Sequence, residues 1–304
     1  MTQARFDDRV AVITGAGRGL GREYARLLAG LGAKVVVNDV GGELTGHGAD
    51  GGPAQQVVEE IIASGGEAIA STDSVVTAAG GAAIAAAATE AFGRVDVLIH
   101  NAGNVRHAAL SEMTVEDFDA VLDVHLRGAF HAVRAAFPLM CAAGYGRIVL
   151  TSSIGGLYGN HEVANYAAAK AGVIGLSNVV ALEGAAHGVR CNVIVPAAVT
   201  RMAEGLDTSA YPPMGPELVA PVVGWLAHES CSVTGEILTA IAGRVARVAI
   251  VESAGVYQPA WTVDDVGAHI GAIRDLTEPL QFPVVPDGHN AHIGHSFAVA
   301  RGTA

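Results

Sequence analysis

Short runs of consecutive apolar residues recur along the chain, and between them apolar positions return every three or four residues. The first run, residues 9–13, leads into a glycine-rich turn and then into Tyr24, Leu27, Leu28 and Leu31 at helical spacing. Further strand-like runs fall at 34–38, 95–99, 147–150 and 236–239. Strands alternating with helices predict one α/β unit: a Rossmann-like, doubly wound parallel sheet of about seven strands, with helices on both faces. The alanine-rich stretch 78–91 reads as a helix covering that sheet despite Gly80 and Gly81. Residues 217–228 read as another, presenting Leu218, Val222, Val223 and Leu226. The expected organisation is a nucleotide-binding domain over 1–243 and a C-terminal extension over 244–304, with no fixed-period repeat. In the extension, Trp261, Val263, Asp264, Asp265, Val266 and Ile270 predict a short capped helix.

The first strand runs straight into Thr14-Gly15-Ala16-Gly17-Arg18-Gly19-Leu20-Gly21. Glycines let the backbone turn sharply and approach a pyrophosphate, and the free N–H groups that open the next helix favour its charge. The second strand ends at Asp39, eighteen residues after Gly21, where a dinucleotide-binding unit places the acid that holds the adenosine ribose. A carboxylate there opposes the 2′-phosphate of NADP by a few kcal/mol at ~4 Å and an effective dielectric of ~20, so NAD is the expected cofactor. Arg18 argues the other way, but an arginine at that place is free to turn to solvent. Residues 41–52, rich in glycine, are expected to be a flexible loop beside the adenosine site.

Tyr166 and Lys170 stand four apart and share one face of a helix. A buried ammonium beside a phenol favours phenolate, which would bring Tyr166 down from about 10 toward neutral pH. Ser153, thirteen residues upstream, follows the strand 147–150, which would deliver its hydroxyl to the tyrosine.

Thr14-Gly15-x-x-x-Gly19-x-Gly21, Asn101-Ala102-Gly103 after the fourth strand, Ser153 and Tyr166-x-x-x-Lys170 together resemble the short-chain dehydrogenase/reductase family over about residues 5–243. The resemblance implies that Tyr166 is the general acid/base, that Lys170 tunes it and holds the nicotinamide ribose, and that Ser153 binds the reacting oxygen. It implies cofactor contacts from Gly15, Arg18, Gly19, Leu20, Gly21, Asp39, Asp73, Ser74, Asn101, Ala102, Gly103, Tyr166, Lys170, Pro196, Val199 and Thr200. Where the family keeps an asparagine that relays protons, this chain has His125; histidine titrates near pH 6.5, so an added pH dependence is expected. The resemblance makes 201–216 the substrate lid, and the extension a cover for the active site or for a neighbouring subunit of a homodimer or homotetramer. Softer signals, among them residues 37–42, 124–128 and 228–231, are similar to members that act on 3-hydroxyacyl-CoA thioesters and 17β-hydroxysteroids. Competing readings are a 3-oxoacyl-carrier-protein reductase using NADPH and a dinucleotide-binding sensor without turnover.

With 30 acidic against 18 basic residues and a formal charge of −12, neither nucleic acid nor membrane is an expected partner, because the field repels polyanions. An anionic coenzyme A thioester would then need a local basic patch, for which Arg106, Arg127, Arg201 and Arg244 are candidates. Three cysteines without metal-ligand spacing suit a reducing compartment, and no apolar signal core opens the chain. A cytoplasmic location is expected. His289, His292 and His295 recur every three residues, but Gly288 and Gly294 are expected to break the helix that would align them, so no metal is expected.

Overall fold

The computed structural model describes residues 4–43, 45–200 and 210–303. One sheet carries the strands in the order β3-β2-β1-β4-β5-β6-β7-β8. These are β1 (Val10–Thr14), β2 (Lys34–Asn38), β3 (Glu67–Ser71), β4 (Val97–His100), β5 (Gly146–Thr151), β6 (Val189–Ala197), β7 (Ile237–Ile241) and β8 (Arg244–Val248). The first seven pair in parallel, in registers such as Val12↔Val36, Val12↔Leu98 and Ile148↔Cys191. Winding reverses between β1 and β4, so a crevice opens there at the carboxyl ends of the strands. β1, β4 and β5 are buried at every position, as expected of strands covered on both faces.

The sheet has eight strands rather than about seven. Ala242 and Gly243 both take positive φ, 49° and 78°, the turn that lets a two-residue hairpin match strand twist. β8 therefore returns beside β7, and the compact unit runs to Arg247, with a second unit from Val248.

The helices on the sheet are α1 (Gly19–Gly30), α2 (Gly52–Ala63), α3 (Ala78–Phe92), α4 (Val115–Leu122), α5 (Gly128–Ala143), α6 (Ile154–Tyr158), α7 (Ala164–Gly184) and α8 (Ala220–Ala227). The alanine-rich helix α3 runs unbroken from its Thr77 cap. A Cβ on Gly81 would stand 2.8 Å from the His131 backbone, so the glycine serves the close approach of α3 and α5. The helix expected over 217–228 begins only at Ala220, after a single tight turn over Pro216–Leu218. Val223 and Leu226 are buried as expected, whereas Val222 is half-buried.

In the second unit, α9 (Val263–Ile273) has a complete capping box between Thr262 and Asp265. α10 (Gly288–Arg301) spans all three histidines of the 289–295 series, so the glycines do not break it. One helical glycine costs only about 1 kcal/mol, and Asp287 caps the start by accepting from the Asn290 N–H. His292 bonds Glu252 at 3.0 Å and packs edge-on against Phe282. Among the described residues no group of three or more His, Cys, Asp or Glu is placed to hold a metal ion.

Candidate active site

A cavity of about 440 Å³ occupies the crevice. Its lining follows the sheet: Gly15, Arg18, Gly19 and Leu20 after β1, Asp39 after β2, Asp73 and Ser74 after β3, and Asn101, Ala102 and Gly103 after β4. Thr151 and Ser152 follow β5, Tyr166 and Lys170 come from α7, and Pro196, Val199 and Thr200 close the far side with Tyr211 and Met214. Gly21 and Ser153 are the sequence-predicted residues not on that wall. A Cβ on Gly21 would stand 2.2 Å from the Gly15 carbonyl oxygen, so Gly21 permits the turn to fold on itself. Of the expected lid, residues 201–209, Arg201 included, lie outside the described residues.

The glycine turn is fastened to β4. Thr14 Oγ1 accepts from the Asn101 and Ala102 N–H groups, and the Asn101 side chain donates to the Gly15 carbonyl at 3.1 Å. Gly15 and Gly19 have φ of +63° and +53°, which favour glycine. A Cβ on Gly15 would meet Ala102 Cα at 2.7 Å. Asp39 accepts the Gly17 N–H at 2.8 Å and the Gly41 N–H at 2.7 Å, so one carboxylate fixes both the turn and the following loop while facing the cavity. Arg18 does not turn away to solvent: its guanidinium donates to the Gly42 carbonyl at 3.3 Å on the cavity wall. The Asp73 carboxylate accepts from Ser71 Oγ at 3.1 Å.

Lys170 is buried and donates to the Thr151 carbonyl at 2.6 Å, with its ammonium 5.6 Å from the centre of the Tyr166 ring. Burial lowers its pKa from 10.5 to about 7. Burial also lifts the Tyr166 phenol above its ordinary value, opposed by the hydrogen bond with Ser153. The expected depression of the tyrosine is therefore reversed, because desolvation acts on both groups and the lysine ammonium is directed at the Thr151 carbonyl. In the unfolded chain Lys170 binds its proton up to about pH 10.5 and in the folded chain only to about 7. Its contribution to stability thus rises with pH above about 7. Thermal unfolding of wild type and Lys170→Met between about pH 7 and 9 is expected to show wild type gaining on the variant. Parallel curves would refute the lowered pKa of Lys170.

His125 sits in a π-helical turn between α4 and α5, buried, its ring edge-on to Tyr166 at 5.1 Å between centroids. Its Nε2 lies 2.7 Å from the Asn104 carbonyl, and its Nδ1 is buried with no partner among protein atoms. A Cβ on Gly103 would stand 2.4 Å from His125 Cε1, so Gly103 makes room for this ring. Burial, then the Lys170 charge, push His125 well below its ordinary pKa, and burial first pushes neighbouring His100 down to about 3. The titration expected near pH 6.5 is thus lost; His125 stays neutral. Wild type and His125→Asn are expected to share one pH–rate shape across about pH 5–8. A limb present only in wild type would contradict this.

Several site residues carry no signal in the sequence read alone. Ser152 Oγ donates to the Lys170 carbonyl at 2.7 Å and ties α7 to β5. Asn165, at the start of α7, donates to the Arg106 and Asp117 carbonyls and accepts the Tyr166 N–H at 2.7 Å. Of the described candidates for a basic patch, Arg106 is paired with Asp117, and Arg127 with Asp119 and Asp123. Arg244 is exposed on β8.

The residues fit a dinucleotide. Gly19 takes φ +53° in the turn that lines the cavity, and the buried Thr151 Oγ1 and His125 Nδ1 on the cavity wall have no hydrogen-bond partner among the described residues.

Comparison with known proteins agrees. Residues 9–209 match the family model described as short chain dehydrogenase. The peroxisomal multifunctional enzyme type 2 of Drosophila melanogaster is 50% identical over 83% of this chain, which spans only 42% of that protein. A protein named as a short-chain type dehydrogenase/reductase in Mycobacterium tuberculosis is 45% identical over 89% of this chain and 95% of its own length. The structure of the full-length Drosophila enzyme superposes with a TM-score of 0.79 at 37% identity, covering 97% of this chain and 50% of that one.

Proposed function

Because the chain belongs to the short-chain dehydrogenase family, we propose that it uses NAD to interconvert a secondary alcohol and a ketone, acting on a 3-hydroxyacyl-CoA or a hydroxysteroid. The observation that carries the reading is Tyr166 and Lys170 on the wall of the cavity that the glycine turn and Asp39 also line, with Ser153 Oγ and the Tyr166 ring both beside Gly155. Gly15, Gly19, Asp39, Asn101 and Thr200 would hold the dinucleotide. A bound oxidised nicotinamide supplies the hydride acceptor and a positive charge. Ser153 and Tyr166 orient the alcohol oxygen through their hydroxyls, and Tyr166 takes its proton. Ser152 and the Thr151 carbonyl keep Lys170 beside the phenol, while the buried walls exclude water.

Likeness to the multifunctional enzyme supports the acyl-CoA and steroid substrates. Asp39 supports NAD, and Glu43, also on the cavity wall, adds a second carboxylate that opposes a 2′-phosphate and hence the carrier-protein reductase reading. Exposed Phe130, Val179 and Trp225 support a homodimer or homotetramer, to be measured by light scattering. No helix among the described residues is long and apolar enough to cross a membrane. The free thiols Cys141, Cys191 and Cys231 support the cytoplasm as the compartment, which imaging of a tagged chain would test against the peroxisome of the relative's name.

The experiment is a panel of 3-hydroxyacyl-CoA thioesters and hydroxysteroids with NAD and NADP, followed at the absorbance of the reduced nicotinamide. Turnover of an acyl-CoA or steroid with NAD is the expected result. Dinucleotide binding with no turnover of any alcohol would turn the assignment toward a sensor.

A further inference from the structure

We infer that Arg106 is a positioning residue that latches the glycine-rich loop of residues 41–52 across the dinucleotide cavity, an inference that rests on the cavity holding a dinucleotide. The loop is closed at its neck. The Gly41 N–H donates to Asp39 and the Asp50 N–H to the Val40 carbonyl at 2.8 Å. A Cβ on Gly41, whose φ is +71°, would fall 1.6 Å from the Asp50 carbonyl oxygen, so only glycine closes it this way. Inside the loop, the Glu43 N–H donates to the His47 carbonyl at 2.8 Å and the Gly46 N–H to the Glu43 carbonyl at 3.0 Å. Gly42, Glu43 and Gly46 thereby join the cavity wall. Among the described residues 41–43 and 45–52, these bonds give the segment a closed shape.

Residues 45–52 are all exposed, so burial does not hold this half of the loop in place. Polar pins do. Arg106 Nε donates to the Thr45 carbonyl at 3.1 Å, and Arg106 Nη2 lies 3.4 Å from His47 Nε2. The same guanidinium is braced on α4 through Asp117 at 2.9 Å. The Arg106 carbonyl accepts from Asn165, whose side chain also holds the Tyr166 N–H. A second connection runs through Asn104: a Cβ on Gly46, at φ +87°, would stand 2.7 Å from Asn104 Nδ2, and the Asn104 backbone holds His125 against Tyr166. The loop thus rests on the two residues that also set the surroundings of the tyrosine. Ordering an exposed loop costs conformational entropy, and if only a fraction of molecules hold it closed, apparent affinity falls by that fraction.

The test uses the full chain, with NADH affinity read by fluorescence titration and loop order by deuterium uptake over 41–52. Arg106→Gln removes the side-chain pins and leaves the backbone bond to Asn165. It is expected to raise uptake in the loop and weaken NADH binding about tenfold, as a closed fraction near a tenth would. KM for the dinucleotide is expected to rise with kcat nearly unchanged, and Arg106→Lys to restore part of the loss. Should Arg106→Gln unfold, Gly46→Ala presses its Cβ on Asn104 Nδ2 at the loop's other support and is expected to raise uptake and weaken binding in the same direction. Unchanged NADH affinity and unchanged uptake in a folded Arg106→Gln or Gly46→Ala would overturn the latch while leaving the dehydrogenase reading intact. Failure of wild type to bind NADH would overturn both.

Discussion

Tyr166→Phe is expected to lower kcat by about 10²–10⁴-fold, the range for a positioned general acid/base, with dinucleotide affinity unchanged. Phenylalanine keeps the ring that packs edge-on to His125 and removes only the hydroxyl. The loss therefore falls on proton transfer rather than on packing. Burial lifts the phenol above its ordinary value, so at neutral pH the tyrosine holds its proton. That form donates directly when a ketone is reduced, and oxidation is expected to quicken as pH rises because the base form becomes populated. Steady-state rates and NADH titration of the variant check both halves of the statement. Near-normal kcat would remove Tyr166 from the chemistry.

Asp39→Asn is expected to raise the NADP to NAD ratio of kcat/KM by about 10²-fold, since a like-charge repulsion of a few kcal/mol is removed. Asparagine retains a side-chain oxygen for the Gly17 or Gly41 N–H, both of which bond the carboxylate, so the turn is expected to survive. Arg18, already on the cavity wall, would then face a phosphate without the opposing carboxylate. A ratio that does not move would transfer cofactor choice from Asp39 to other groups, with Glu43 the next to replace.

The parts of the fold legible in the sequence are those written in contiguous residues. The apolar runs of β1, β2, β4 and β5 and the glycine turn declare themselves because a strand buried on both faces must be apolar throughout and a tight turn at positive φ favours glycine. Tyr166 and Lys170 are legible because helical spacing puts them on one face. β8 was hidden because Arg244 and Arg247 give it a polar, edge-strand sequence. The unbroken helix α10 is not legible because Gly288 and Gly294 lower its helical signal, while the cap at Asp287 that starts it is a contact of the folded chain.

Arg106 illustrates a deeper limit. Its charge points to an anionic ligand, yet its guanidinium is occupied by Asp117 and the Thr45 carbonyl, groups far from it in sequence. The behaviour of His125 was misread for a related reason. Its residue type says pH 6.5, but burial beside Lys170 removes the charge, and burial is a property of the folded chain alone. The upward displacement of Tyr166 follows the same rule.

The central claim is that this cavity moves hydride from a secondary alcohol to a nicotinamide while Tyr166 takes the proton. The most direct measurement is transfer of deuterium from a 3-hydroxyacyl-CoA labelled at the carbinol carbon, with the reduced dinucleotide recovered and weighed by mass spectrometry. Deuterium carried into NADH by wild type and lost with Tyr166→Phe is the expected result. Unlabelled NADH, or ketone formed with no reduced dinucleotide, would contradict it.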